Sequence, residues 1–272
     1  MALALSGTLA LSTAVAREDY LPRIGYKNHY RDGTVTASTE QTDYPVDLSY
    51  DSFTDTAWIG STSVTEWWVR VSKAGATADY CGLLMYGDNP LSAPSGITVK
   101  LQSSDDSGST WDDVTDPVLP TDRVVVFLFD SESHDDWRIH FSGTVPPQVA
   151  DVSLGEVMTM PVGFMSGFEP PKQARNNMIT NNSTDLGHLA GRSLIRKGIE
   201  TQLQFNMLSE SFVRTEWEPF IDHAELRPWY IVWSPVNWPN ESALVWTDRE
   251  IKPPKYRNNY MDVQLRVKGF AE

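Results

Sequence analysis

What most constrains this chain is a period of two that recurs in short blocks set apart by turn residues. Ile97, Val99 and Leu101 alternate with Thr98, Lys100 and Gln102, and Trp137, Ile139 and Phe141 alternate in the same way. Successive side chains of a strand point to opposite faces, so each block predicts a half-buried strand. Arg123 to Phe129 is instead an unbroken β-branched and aromatic run, which predicts a strand covered on both faces. The polar cluster Ser103 to Ser109 predicts a turn. Further along, Leu203, Phe205 and Met207 alternate, and Met261, Val263, Leu265 and Val267 alternate with Asp262, Gln264, Arg266 and Lys268. One segment changes period. Thr215 followed by Glu218 has the capping-box spacing, Pro219 falls in the first turn, and Val213, Trp217, Phe220, Ile221 and Ala224 recur at helical spacing. Trp229 to Trp233 then predicts another strand. The expected fold is mainly all-β: one sandwich, then a second with a single flanking helix.

The 272 residues are enough for two cores. Residues 1–40 read as an N-terminal arm, 41–160 as the first sandwich and 161–272 as the second. No internal repeat of solenoid or propeller period is present. A formal net charge of −14 repels phosphate backbones and disfavours nucleic acid as a partner. Cys81 is the only cysteine, so no internal disulfide is expected; its apolar setting, Tyr80 to Met85, predicts a small buried hydrophobe. Met1 to Ala16 ends in Ala14-Val15-Ala16 as a signal-peptidase site does, but no Lys or Arg precedes the apolar stretch. It reads as a retained arm or strand, too short and too polar to span a membrane.

The sequence has no phosphate-binding loop, no dinucleotide fingerprint, no HExxH and no nucleophile elbow. The His residues at 29, 134, 140, 188 and 223 lack metal-ligand spacing, and His134 beside Asp135 and Asp136 reads as a solvated turn. A glycosidase needs two opposed carboxylates, and 36 acidic residues single out no pair. The chain is expected not to be an enzyme. Sugar sites stack an aromatic ring on a pyranose and bind hydroxyls with planar polar groups. Trp58, Trp67, Tyr86 and Trp111 are candidate ring suppliers, and Asp88 and Asn89 lie in a turn-rich loop suited to binding.

The middle zone resembles the discoidin, or coagulation-factor C-type, family of galactose-binding-like jelly rolls. The resemblance starts at Thr36 to Glu40 and Tyr44 to Leu48, then runs through Asp51 to Thr56 and Trp58, the family's Asp…Thr-x-Trp segment. Trp67 to Val71, Ile97 to Asp106, Thr110-Trp111 and Arg138 to Gly143 follow in the family's order. It implies a jelly roll that binds sugars, lipid head groups or protein through loops at one end. It also implies a Ca²⁺ near the Asp-Thr-Trp segment, with Asp47, Asp51 and Asp55 as candidate ligands and no other cofactor. Ser52 stands where the family usually has Gly.

Pro22 to Asn28 and Phe212 to Pro235 resemble bacteriophage tail and baseplate proteins of the distal-tail type, in which a β-sandwich with one helix assembles into rings. That resemblance implies a virion structural protein near a tail tip, assembled in the host cytoplasm. Its implied partners are other tail proteins, copies of itself in a ring and host surface glycan, with neither nucleic acid nor membrane insertion. Trp217, Phe220, Trp229 and Trp233 are the candidate subunit contacts. The alternative is a secreted or periplasmic carbohydrate-binding protein, or a glycosidase accessory.

Overall fold

The computed structural model describes residues 20–86, 96–120 and 122–270. Its strands are β1 (Arg23–Gly25), β2 (Thr34–Ala37), β3 (Trp58–Ile59), β4 (Glu66–Met85), β5 (Thr98–Ser104), β6 (Asp112–Asp113), β7 (Val124–Ser142) and β8 (Gln148–Gly155). They continue with β9 (Val157–Thr159), β10 (Met178–Ser183), β11 (Leu189–Arg196), β12 (Ile199–Ser209), β13 (Trp229–Val232), β14 (Ser242–Thr247), β15 (Lys255–Arg257) and β16 (Tyr260–Phe270). The fold is mainly all-β, with one α-helical segment and two short 3-10 turns among the described residues.

The first sheet has the order β3-β8-β4-β7-β5-β6, with β2 added on β4. β4 and β7 are long and antiparallel to each other, with register breaks between Ser72 and Ala76 and between Ala78 and Tyr80. Gly75 at the break has φ 61°, a left-handed conformation that favours glycine. Beyond it the sheet folds back on itself. Trp67, Val69 and Val71 from the first half of β4 therefore share one core with Cys81, Leu83 and Met85 from its second half. Cys81 is fully buried there, and burial pushes its thiol well up.

The second sheet has the order β12-β16-β14-β13-β1-β9, with β15 on β16. β1 lies between β13 and β9, with Ile24 opposite both Ile231 and Met158. The residues read as an arm thus contribute an inner strand next to the β9 edge, and the sheet takes strands from all three zones divided at 40 and 160. The reason is apolar: Ile24 is fully buried in the second core. That core is closed by a helix running through α1 (Glu210–Phe212), a π-helical turn (Val213–Trp217) and α2 (Glu218–Ala224). Val213, Trp217, Phe220 and Ala224 all face inward, as the spacing predicts.

Three local expectations are corrected. The helix starts six residues before Thr215: Ser209 is the N-cap, its hydroxyl accepting the Phe212 N–H at 3.2 Å. Thr215 instead donates to the Ser211 carbonyl, and Pro219 sits inside the helix directly after the π-turn, which accommodates the missing N–H. Met207 leaves the alternation with φ 60° in a bulge between Phe205 and Leu208, and points to solvent. Arg123 to Phe129 is not covered on both faces: Val124 and Phe127 are buried but Leu128 is 37% exposed, because the second sandwich reaches only the start of β7.

The two sandwiches meet through Tyr80, Leu84, Val124 and Ala150 of the first and Tyr230 and Leu244 of the second. Two glycines make the approach possible. A Cβ on Gly82 would lie 2.6 Å from the Tyr230 ring, and one on Gly25 would lie 2.4 Å from the Tyr80 ring. Both rings are buried and hydrogen-bonded, so neither can move aside. The Tyr230 hydroxyl donates to Asp151 Oδ2 at 2.8 Å, and the Tyr80 hydroxyl donates to the Lys27 carbonyl. Gly82→Ala is expected to cost about 1–3 kcal/mol through overpacking, seen as a lower urea midpoint; an unchanged midpoint would mean that the junction is loose.

The junction also holds two groups whose titration opposes each other. Burial pushes the Asp151 carboxyl up to about 6, against the Tyr230 hydrogen bond and the charge of Arg31. Burial pushes His223 down to about 4, although its Nε2–H donates to the Pro228 carbonyl at 3.1 Å. Between about 4 and 6, native Asp151 holds more proton than the unfolded chain, so its contribution to stability falls as pH rises. Native His223 holds less proton than the unfolded chain in the same window, so its contribution rises with pH. Asp151→Asn removes the first effect and leaves the second. The unfolding free energy of the variant should therefore climb more steeply from pH 4 to 6 than that of the native chain, by up to about 1.4 kcal/mol per pH unit. Parallel curves in chemical denaturation would refute the assignment.

Candidate functional site in the cleft between the sandwiches

The loop of the first sandwich that holds Asp51 to Thr56 faces the helix end and β14 of the second, and between them lies a cleft of ≈ 330 Å³. That volume is at the lower end of small-ligand clefts, roughly 300–1,000 Å³. One wall is Ser52 to Asp55, a second is Ala224 to Pro228, and Trp246 and Thr247 form the third.

Local chemistry fixes each wall. Asp51 accepts the Phe53 N–H on Oδ1 and the Thr56 hydroxyl on Oδ2, both at 2.8 Å, which closes the loop as an Asx-type turn. Ser52 takes φ 79° within it, the left-handed conformation that a glycine at this position would adopt more easily. The turn presents Phe53 outward with 62% of its surface exposed. On the second wall the chain leaves α2 with the N–H groups of Leu226 and Arg227 both donating to the His223 carbonyl. Thr247 donates to the Ala224 carbonyl at 2.8 Å and so ties the helix end to β14. Trp246 is half-buried and leans on Phe270, with ring centroids 5.5 Å apart.

The cleft therefore combines two aromatic rings, Phe53 and Trp246, with the carboxylates of Asp55 and Glu225 and the guanidinium of Arg227. Ser52, Thr54 and Thr247 line it as well. Such a set stacks on an apolar ring face and hydrogen-bonds its rim. No two of these groups form a nucleophile–base pair among the hydrogen bonds of the described residues.

Most of the residues singled out from the sequence lie elsewhere. Trp58 and Trp67 are fully buried, their indole N–H groups donating to the carbonyls of Thr39 and Ser61. They build the first core and cannot reach a ligand. Tyr86 is half-buried against the inter-sandwich cluster. Trp111 carries the Arg138 guanidinium 4.0 Å from its ring centroid, with Arg70 at 5.6 Å, so cations already cover it. Asp88 and Asn89 lie outside the described residues. Trp217, Phe220 and Trp229 are buried in the second core through edge-on ring contacts, so they are not subunit contacts. Trp233 is half-buried and donates to Glu241 at 2.8 Å.

The residues proposed for Ca²⁺ do not fit that ion. Asp47 Oδ1 accepts the Tyr50 hydroxyl at 2.6 Å, and both Asp51 oxygens are used by their own loop. Only Asp55 of the three lines the cleft. Among the described residues no group of three or more His, Cys, Asp or Glu side chains converges as a metal site. No described helix is long and apolar enough to cross a membrane.

Phe53 was within reach of sequence reading, since it lies in the Asp51–Trp58 segment that carries the family resemblance. Trp246 was not: it is the outward ring of a strand whose partner wall comes from residues 20 positions earlier in the chain and nearly 200 positions away in the first sandwich.

No protein-family model matches the chain, and no curated protein matches it. Solved structures similar to it include chitosan-binding module 1 from a chitosanase/glucanase of Paenibacillus sp. IK-5, 17% identical over 47% of this chain and 97% of the module, with a TM-score of 0.41. A Ruminococcus gnavus fucosidase in complex with fucose is 10% identical over 48% of this chain and 27% of its own, with a TM-score of 0.42. The Clostridium perfringens module CpGH89CBM32-5, in complex with GalNAc-β-1,3-galactose, is 12% identical over 46% of this chain and 96% of its own, with a TM-score of 0.38.

Proposed function

We propose that this chain is a non-catalytic glycan-binding protein whose ligand sits in the cleft between the sandwiches, and that it works as a structural component of a phage tail tip. The observation that carries the binding half is the cleft itself, where Phe53 and Trp246 stand beside Asp55, Glu225 and Arg227. Rings take the apolar face of a sugar, and the carboxylates and guanidinium take its hydroxyls. The tail half is supported by the two segments that resemble tail proteins. Far apart in sequence, they are strand neighbours in the second sheet, where β1 pairs with β13 in the register Arg23 to Val232. In this reading the second sandwich joins other tail proteins and further copies of the chain, the cleft meets host glycan, and the protein resides in the virion. Repetition in a ring multiplies a weak single site.

A carbohydrate-binding protein exported on its own is the second reading, favoured by the Ala14-Val15-Ala16 sequence. Immunoblots of purified virions and of culture medium separate the two: protein confined to the medium overturns the tail assignment.

Binding is tested by glycan array followed by calorimetry with the best hit. Trp246→Ala, Phe53→Ala and Arg227→Ala are each expected to weaken affinity at least tenfold, about 1.4 kcal/mol, while Trp111→Ala leaves it unchanged. The reverse pattern would move the site to the Trp111 face. No binding to any glycan, or turnover of one, would sink the proposal.

A further inference from the structure

β10 and β11 form a separate two-stranded sheet that pairs with neither sandwich. Every residue of β10 is exposed, and in β11 only Gly191 is partly covered. The ribbon is nonetheless apolar. Met178, Ile179, Leu189, Leu194 and Ile195 all face solvent, and Leu186 at the turn is 86% exposed. A lone two-stranded hairpin is at best marginally stable in water, and both of its edges offer unpaired backbone groups. They fall in two groups, Met178, Ile179, Leu194 and Ile195 at the base and Leu186 and Leu189 at the turn, and exposed apolar groups on an unpaired ribbon mark a surface that something covers.

Charge points to the occupant. Residues 175–197 carry Arg175, Arg192, Arg196 and Lys197 against the single carboxylate Asp185, in a chain whose formal net charge is −14. The arm is thus opposite in sign to the rest of its own molecule. The outer face of the helix holds Glu210, Glu216, Glu218 and Asp222 against Arg214 alone, and Arg214 is held by Glu210 at 2.7 Å. Arm and helix leave β12 at its two ends, Ile199 and Ser209. An eleven-residue strand separates them by about 35 Å. A basic arm at one end and an acidic helix at the other form a head-to-tail pair of surfaces, which closes into rings or runs on as filaments.

We propose that the β10–β11 hairpin is an assembly arm that docks on the acidic helix face of a second copy of this chain. The proposal deepens the assembly half of the functional reading and is separate from glycan binding. Opposite charge steers the two copies together, and burial of the apolar ribbon holds them.

The test is the mass of the full-length protein by light scattering across concentration at low and high salt. The native chain is expected to form oligomers that weaken as salt rises. Leu186→Ser with Leu189→Ser, and separately Arg192→Glu with Arg196→Glu, should each raise the dissociation constant at least tenfold. Glu218→Lys with Asp222→Lys should do the same from the other side. Combining the Arg192/Arg196 and Glu218/Asp222 reversals should restore assembly, an outcome that misfolding cannot produce. Circular dichroism and glycan affinity, read on the same variants, report whether the fold and the cleft survive. A native chain that stays monomeric at every concentration overturns the proposal, and so does an oligomer indifferent to the hairpin variants.

Discussion

Two tyrosine rings seated on two glycines hold this molecule in one piece. Tyr230 of the second sandwich lies over Gly82 of the first, and Tyr80 of the first lies over Gly25 in the second sheet. Each ring is buried, and each hydroxyl finds an acceptor across the junction: Asp151 for Tyr230, and the Lys27 carbonyl for Tyr80. Large rings against bare backbone give the closest approach two sheets can make, and they leave the phenol groups no room to miss their partners. Leu84, Val124, Ala150 and Leu244 fill the space around them. The cleft depends on this contact. Its walls come from different sandwiches, so their separation is set by how the junction packs and not by either sandwich alone.

The same contact explains why polar groups are tolerated at the center. Asn28 donates to the Val152 carbonyl and accepts from the Leu154 and Tyr30 N–H groups, which satisfies a buried amide at three points. Asp151 is less well served: Oδ1 is buried without a hydrogen-bond partner, as are Nε and Nη1 of Arg31, whose charge acts on it. A carboxylate in that position costs stability once ionised, and the junction keeps it only because Tyr230 and Arg31 offset part of the cost. His223 ties this region to the cleft wall, donating to the carbonyl of Pro228 beside Glu225 and Arg227.

Several features were legible in the residues. The alternation at Ile97 to Leu101 and at Trp137 to Phe141 marks strands whose inward side chains are all buried. The helix face at Val213, Trp217, Phe220 and Ala224 was readable for the same reason: a periodic pattern reports which side of an element meets the core. The helix start was misplaced because Thr215 and Glu218 mimic a capping box, while the true cap at Ser209 is set by where β12 ends. The aromatic candidates failed for a related reason. Trp58 and Trp67 look identical in sequence to exposed stacking rings, and only the folding-back of β4 and β7 decides that they are core.

The sequence by itself determined the mainly β class, the single α-helix and its buried face, the lone cysteine and the acidic net charge. These properties are local or additive, so neighbouring residues and totals suffice to read them. The tertiary structure alone decided that residues 23–25 form an inner strand of the second sheet between β13 and β9, that two glycines admit two rings, and that Phe53 and Trp246 share a cleft. Each of these is a contact between segments far apart in the chain, and no local period or propensity records which distant surface a strand will meet.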